Sequence, residues 1–292
     1  MVADSSPVAV VVATRNRAVE LDATLERLRT LSGQAPVLVV DNASDDGTAS
    51  RVRQRHPGVR VVALPENLGA AARTVGARLA PSPYVAFSDD DSWWAPGALE
   101  RATELLDRHP RLAVVAARVL TGPEERLDPV CAAMASSPLP PAPDLPGRPV
   151  LGFVACGAVV RRSAFLQVGG FHRRFGVGGE EELLAVDLAA AGWGLCYVDE
   201  VVAHHHPSSM RDPAARRRVQ VRNGIWVAWL RHPLRVAASS TLRALLRART
   251  DGSARAGLGE ALRGLPWVLA ARRRLPPEVE ADVRCLHRGH SL

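Results

Sequence analysis

Four short apolar runs, each broken off by a polar cluster, constrain this chain more than anything else in it. They are Val8 to Ala13, "PVLVVD" at 36–41, "VRVVAL" at 59–64 and "YVAFSDD" at 84–90. Runs that stay apolar at successive positions suit strands buried on both faces. Helical signals lie between them. Leu21, Leu25, Leu28 and Leu31 fall at helical spacing ahead of a stop at Gly33. "NASDDGT" (42–48) is turn-rich and suits the cap of a following helix, and "NLGAAARTVGARLA" (67–80) reads as a helix of small residues. Strand and helix in alternation predict an α/β layered fold with a mostly parallel central sheet. Such sheets bind ligands beyond the carboxyl ends of their strands. The polar clusters fall at those ends: Thr14/Asn16/Arg17, Asp41/Asn42, Asn67/Gly69 and Asp89–Asp91.

Farther along, a helix is expected from about Pro96 to Arg108 and a strand at 112–120. Residues 135–150 hold six Pro and read as a loop or lid that shapes acceptor specificity. Residues 152–171 read as strand, short helix and glycine turn, 180–193 as a helix, and 194–207 as a last strand running into three His. The chain then changes character. Its net charge is +7, but from Arg211 to the end 17 Arg face 6 acidic residues, a net of +11, so residues 1–210 carry −4. All 37 basic residues are Arg, the side chain that grips phosphate bidentately. Leu242, Leu245 and Leu246 share one helical face with Arg243 and Arg247 on another, and Leu258, Leu262, Leu265 and Leu269 repeat at helical spacing. These are basic amphipathic helices, suited to an anionic membrane surface.

Composition excludes several classes. With 47% apolar residues among 292, the chain is not disordered. Four scattered Cys without CxxC spacing suggest neither a zinc site nor a disulfide framework, which fits a reducing cytoplasm. The N-terminus lacks a basic n-region, and no run approaches the roughly 20 apolar residues of a membrane span. Aromatics at 4% argue against a stacking platform for nucleic acid.

The chemistry concentrates at three places. In Asp89-Asp90-Asp91 the outer pair forms D-x-D, and a hard divalent cation, Mg²⁺ or Mn²⁺, would relieve the repulsion among the carboxylates. An isolated DDD is more often a helix cap; its place at the end of an apolar strand favours the cation. Asp41 suits a hydrogen bond to a nucleobase or ribose, against an Asx turn, and Arg73 suits a phosphate clamp, against a solvated helix face. Glu180-Glu181-Glu182 follows Gly176, Gly178 and Gly179; acidic residues suit a helix's first turn, and one of them suits a general base. In His204-His205-His206, strand alternation sends His205 to the face opposite the other two, and an imidazole is a usual metal ligand.

Taken in order, "VVVATRNR" (10–17), "VVDNASDDGT" (39–48), "NLGAAARTVGARLA" (67–80), "FSDDD" (87–91), "GGFHRRFGVGGEEELL" (169–184), "AAGW" (190–193) and "VVAHHHPSS" (201–209) resemble the inverting GT-A glycosyltransferases of the family 2 type. "VRNGIWVAWLRHP" (221–233) and the Arg-rich tail resemble the rhamnosyltransferase-like bacterial branch. The resemblance implies a GT-A, Rossmann-like nucleotide-sugar-binding domain over 1–210, with a donor half at about 1–120 and an acceptor half at 121–210. Residues 211–292 would be a helical appendage that docks the enzyme peripherally on the inner face of the cell membrane. Thr14, Asn16 and Arg17 would line the nucleotide pocket with Asn67 and Gly69. Asp41 would meet the base, Arg73 the base or diphosphate, and Asp89 and Asp90 the ribose and sugar. Asp91 would ligate Mn²⁺ or Mg²⁺, with Asp89 beside it and His204 as a further ligand, chosen for its spacing to Ser208/Ser209. Glu181 would be the base that activates the hydroxyl of the acceptor, a lipid-linked saccharide, a glycan precursor or a small molecule. Glu181 stands where the family commonly has Asp, Leu183 where a second acid is common, and Asp187 where Arg is. The rival expectations are an inactive scaffold serving as a basic membrane- or nucleic-acid-binding protein, and a sugar nucleotidylyltransferase. The second is disfavoured because "VVVATRNR" lacks the glycine-rich loop of that class.

Overall fold

In the computed structural model, which describes residues 6–31, 35–207 and 212–289, the first four apolar runs become β1 (Val8–Thr14), β2 (Val37–Asp41), β3 (Arg60–Ala63) and β4 (Tyr84–Ser88). They alternate with α1 (Ala18–Leu31), α2 (Thr48–Arg55) and α3 (Ala71–Leu79). There follow β5 (Ser92–Trp94), α4 (Ala98–Arg108), β6 (Leu112–Thr121), β7 (Arg126–Leu127), α5 (Pro129–Ala135) and β8 (Arg148–Pro149). A 3-10 turn at Ala155–Gly157 leads into β9 (Ala158–Arg161), then α6 (Arg162–Gln167), α7 (Glu180–Ala190) and β10 (Gly194–His205). Four helices complete the chain: α8 (Pro213–Arg231), α9 (Leu234–Arg247), α10 (Gly252–Ala270) and α11 (Pro277–Gly289). Gly33, the expected stop of the first helix, lies outside the described residues.

The sheet runs β3-β2-β1-β4-β9-β6-β10-β5, with β7 on β6 and β8 on β10. β3, β2, β1 and β4 pair in parallel, as do β6 and β10, while β9 lies antiparallel between β4 and β6. The long strands therefore point mostly one way, and their carboxyl ends form one edge. Register sets Thr14 beside Asp41 and Val12 beside Ser88, so β1, β2 and β4 deliver their polar ends together. Val10, Val11, Val12, Val39, Val40, Val85 and Phe87 are fully buried, which explains why these strands read as unbroken apolar runs.

One expectation changes and one alternative is resolved. The helix expected from Asn67 begins at Ala71, and residues 67–70 form a turn in which Gly69 has φ 56°. Of the two alternatives for the Pro-rich segment, loop or lid, it is a loop, and its end lies away from the strand ends. Pro149 and Arg148 pair with Cys196 and Tyr197 at the opposite end of β10 from His205, and Arg111 ion-pairs with Asp144 there.

The C-terminal helices grip the sheet domain at both ends of α7. Ile225, Trp226 and Leu230 of α8 and Leu258 and Ala261 of α10 share an apolar cluster with Phe175 and Leu183. Leu275, Val279 and Val283 pack against Val186. Among the described residues no helix is long and apolar enough to cross a membrane.

Candidate active site

The strand ends tie themselves together before any ligand is considered. Thr14 Oγ1 donates to Asp90 Oδ2 at 2.8 Å, and Thr24 Oγ1 donates to the Asp90 carbonyl at 2.8 Å. Asn16, at φ 53°, donates its N–H to Ser44 Oγ, and its side-chain oxygen accepts the Asp45 N–H. Ser44 in turn donates to Asp41. Arg17 pairs with Glu20 at 3.3 Å. Asn42 accepts the Leu68 N–H at 2.7 Å and donates to the Gly69 carbonyl at 2.9 Å, while Asn67 Oδ1 accepts the Gly69 N–H at 2.9 Å. A side chain at residue 69 would put its Cβ 2.7 Å from Gly176 Cα, so only glycine permits this approach of two loops. The Ala70 N–H donates to the Gly176 carbonyl at 3.0 Å, joining the turn before α3 to the glycine loop before α7.

Arg73 is buried, and its guanidinium donates to Asp89. Burial works against its charge, but Asp89, then Glu180 and Glu181, more than offset this and raise its pKa. It lines two cavities. The first, about 400 Å³, is walled by Thr14, Asn67 and Gly69 and carries Arg15, Arg174 and Arg222. The second, about 570 Å³, holds Asp89, Cys156, Glu180, Glu181 and His205. A phosphate chain bridging the two would meet Arg73 at the junction.

The three aspartates are unequal. Asp89 holds Arg73, and its N–H donates to Ser92 Oγ at 2.7 Å. Asp90 turns back to Thr14; burial, then the charge of Asp89, push it up to about 7, against the pull of the Thr14 bond. Asp91 is buried, with Oδ1 3.2 Å from His205 Nε2.

This geometry moves the imidazole from His204 to His205. Strand β5 pairs antiparallel with β10, His204 opposite Trp93 and His205 opposite Ser92. Cross-strand partners share a face. His204 therefore stacks on Trp93 at 5.4 Å and pairs with Glu125 at 3.0 Å, while His205 shares the face of Ser92 and reaches Asp91. Ser208 and Ser209, on which the choice of His204 rested, lie outside the described residues. Trp93 sits between Arg27, 3.9 Å from the ring centroid, and His204, and Trp94 is wholly core.

The glutamates also separate. Both line the cavity, but Glu180 is buried and accepts the Gly178 N–H, folding back on its own loop, whereas Glu181 is half-buried. Burial first, and Glu180 next, push Glu181 up to about 8. The loop carrying them is held from outside the sheet domain. Asn223 of α8, fully buried, donates to the carbonyls of Phe175 at 2.9 Å and Gly178 at 2.7 Å, and Arg222 also donates to Phe175. Asp187, placed where the resemblance expects Arg, takes both arms of Arg231. The ligand-type atoms of Asp89, Cys156 and His205 lie within 4.8 Å of one another, a cluster that a divalent cation could draw together. Sequence reasoning marked Asn42 without a role, chose His204 over His205, and missed Cys156 and Asn223. A strand register for β10 finds His205, but the others depend on contacts between distant segments.

Comparison with known proteins accords with this geometry. Residues 9–169 match the model of "Glycosyl transferase family 2". An N-acetylglucosaminyl-diphospho-decaprenol L-rhamnosyltransferase of Mycobacterium tuberculosis is 30% identical over 74% of this chain and 84% of its own. A pre-mycofactocin glycosyltransferase of the same organism is 31% identical over 91% of this chain and 57% of its own length. Among solved structures, a mannosyltransferase from Pyrobaculum calidifontis in complex with GDP-Man and Mn²⁺ covers 97% of this chain and 86% of its own, with TM-score 0.60 at 20% identity. S. aureus TarS with UDP-GlcNAc covers 94% of this chain and 83% of its own, with TM-score 0.59 at 17% identity. These likenesses fix the GT-A fold, and with the family match they make the chain a glycosyltransferase, a member of glycosyl transferase family 2.

Proposed function

We propose that the protein transfers a sugar, with inversion, from a nucleotide diphosphate sugar to an acceptor hydroxyl. One observation carries this reading: Glu181, Asp89 and His205 line one cavity, and Arg73 joins it to an Arg-lined second one. The nucleotide lies over the ends of β1 and β2, with Thr14, Asn67 and Gly69 as walls, Asp41 and Asn16 at the base end, and Arg17 at the rim. The diphosphate meets Arg73, with Asp89 and Asp90 facing the ribose and sugar. Glu181 takes the proton of the acceptor hydroxyl as the new oxygen–carbon bond forms, and the electron pair of the breaking bond leaves on the diphosphate. Asp91, Asp89 and His205 form the donor set for a divalent cation: Asp91 lies 3.2 Å from His205, and Asp89 within 4.8 Å of it. Such a cation, when bound, neutralises charge on the leaving diphosphate. A donor screen by nucleotide release, with Mn²⁺ and with Mg²⁺, tests the reading. Loss of cation-dependent donor binding in Asp91→Ala, measured by calorimetry, is expected. Absence of release with every donor and cation favours the inactive scaffold instead.

The acceptor follows from the relatives' names: one acts on a diphosphodecaprenol-linked sugar, so a lipid-linked saccharide is the first acceptor to try, and L-rhamnose the first sugar. A surface feature agrees. Leu234, Leu242, Leu245 and Leu246 of α9 are each more than half exposed, and Arg235, Arg243, Arg247 and Arg249 are exposed around them. Apolar side chains ringed by guanidinium groups fit an anionic bilayer surface. Co-sedimentation with anionic vesicles tests this. Self-association of the chain through the same leucines, read by light scattering without vesicle binding, overturns it.

A further inference from the structure

Of the four cysteines, Cys156 alone faces the catalytic cavity. It sits in the 3-10 turn Ala155–Gly157, which the sheet presses between the ends of β4, β6 and β10. Gly157 makes this possible: a Cβ there would come within 2.4 Å of Val119 Cγ2, so only glycine lets the turn lie this close to β6. Two other buried thiols near β6 belong to the core: Cys196 lies on β10 opposite Val115, and Cys131 donates to the Ala117 carbonyl and accepts the Val119 N–H. Cys285 donates to the Pro138 carbonyl. Cys156 is 2% exposed and makes no hydrogen bond to any described residue. Its sulfur lies instead within 4.8 Å of both a carboxylate oxygen of Asp89 and a ring nitrogen of His205. Cys156 is thus a buried sulfur set beside two other ligand-type atoms.

We infer that Cys156 is a ligand of the catalytic cation, so that the site takes a mixed oxygen, nitrogen and sulfur donor set and selects a borderline divalent ion over Mg²⁺. The inference rests on the glycosyl-transfer reading only in taking a cation to bind at Asp91 and His205. Sulfur–metal distances near 2.3 Å and nitrogen or oxygen distances near 2.1 Å, in the tetrahedral geometry of zinc, set ligand atoms on one ion about 3.6 Å apart. The donor atoms here, within 4.8 Å of one another, draw in by up to about 1.2 Å when the ion binds. Mg²⁺ favours an all-oxygen octahedral shell, whereas imidazole and thiolate favour Mn²⁺, Co²⁺ and Zn²⁺ in rising order. As the sulfur–metal bond forms, the thiol proton leaves to solvent, so binding of these ions releases a proton that Mg²⁺ binding does not.

The test uses the full chain without donor. Co²⁺ is titrated in, with calorimetry for affinity and near-ultraviolet absorption for sulfur-to-cobalt charge transfer. The expected result is a charge-transfer band in the wild type that is absent in Cys156→Ser. The variant should bind Co²⁺ and Zn²⁺ about tenfold or more weaker while its Mg²⁺ affinity stays within about twofold. Co²⁺ binding by the wild type without the band overturns the assignment of Cys156 and leaves glycosyl transfer standing. Failure of any divalent ion to bind overturns both the assignment and the cation-dependent reading. The wild-type spectrum needs no variant, so a poorly folding Cys156→Ser does not blunt the test.

Discussion

Replacing Asn223 by Ala tests whether the C-terminal helices hold the catalytic loop. Asn223 is fully buried, and its side-chain amide donates to two loop carbonyls, those of Phe175 and Gly178. Each neutral hydrogen bond is worth a net of about 1 kcal/mol, and a buried acceptor left unpaired costs about 1–3 kcal/mol. Phe175 keeps Arg222 as a donor, so the main unpaired acceptor is Gly178. The loss then comes to about 2–4 kcal/mol. In a domain of this size each kcal/mol lowers Tm by roughly 2–4 °C, so a drop of about 4–16 °C is expected by thermal unfolding. The loop ends on Gly179 and leads straight into Glu180 and Glu181. A displacement of about 1 Å at the base costs on the order of 100-fold in kcat, with a smaller change in donor affinity. Asn223→Asp should be worse, because it sets a carboxylate against the same two carbonyls. The reasoning is refuted if Asn223→Ala keeps Tm within about 1 °C and kcat within about twofold.

Other expectations follow from the same geometry. Glu181→Gln should lower kcat by about 10²–10⁴-fold with donor affinity unchanged by calorimetry; wild-type turnover excludes Glu181 as the base. Because burial and Glu180 push Glu181 up to about 8 and a base works only when ionised, wild-type kcat should fall about tenfold per pH unit below its pKa. Arg73 and a bound cation pull that limb to lower pH, and a flat profile between about pH 5 and 8 contradicts the assignment. Gly69→Ala forces a side chain at φ 56° against Gly176, so both stability and donor affinity should drop; an unchanged melting curve excludes the close approach. The triple change of Leu242, Leu245 and Leu246 to Ser should weaken co-sedimentation with anionic vesicles by at least about tenfold while leaving turnover on a soluble acceptor intact. Equal sedimentation removes α9 from the docking surface.

The sequence by itself determined the sheet and the edge that carries the chemistry. Strands buried on both faces must be apolar at every position, so β1, β2 and β4 announce themselves, and their polar ends mark the ligand side without further information. The D-x-D pair, Arg73 and the glutamates after the glycines are legible for the same reason: each is local, a few residues at an element's end. Tertiary structure decided whatever depends on two segments meeting. Pairing of β5 with β10 sent His204 to Trp93 and His205 to Asp91, a choice of face that three identical residues in a row cannot encode. The 3-10 turn brought Cys156, which spacing alone makes an isolated thiol, to Asp89 and His205. Likewise the Arg-rich tail reads from composition as an electrostatic appendage, yet Asn223 fastens it to the glycine loop before α7. A hydrogen bond between residues 45 positions apart leaves no periodicity in the chain, because only packing brings them together.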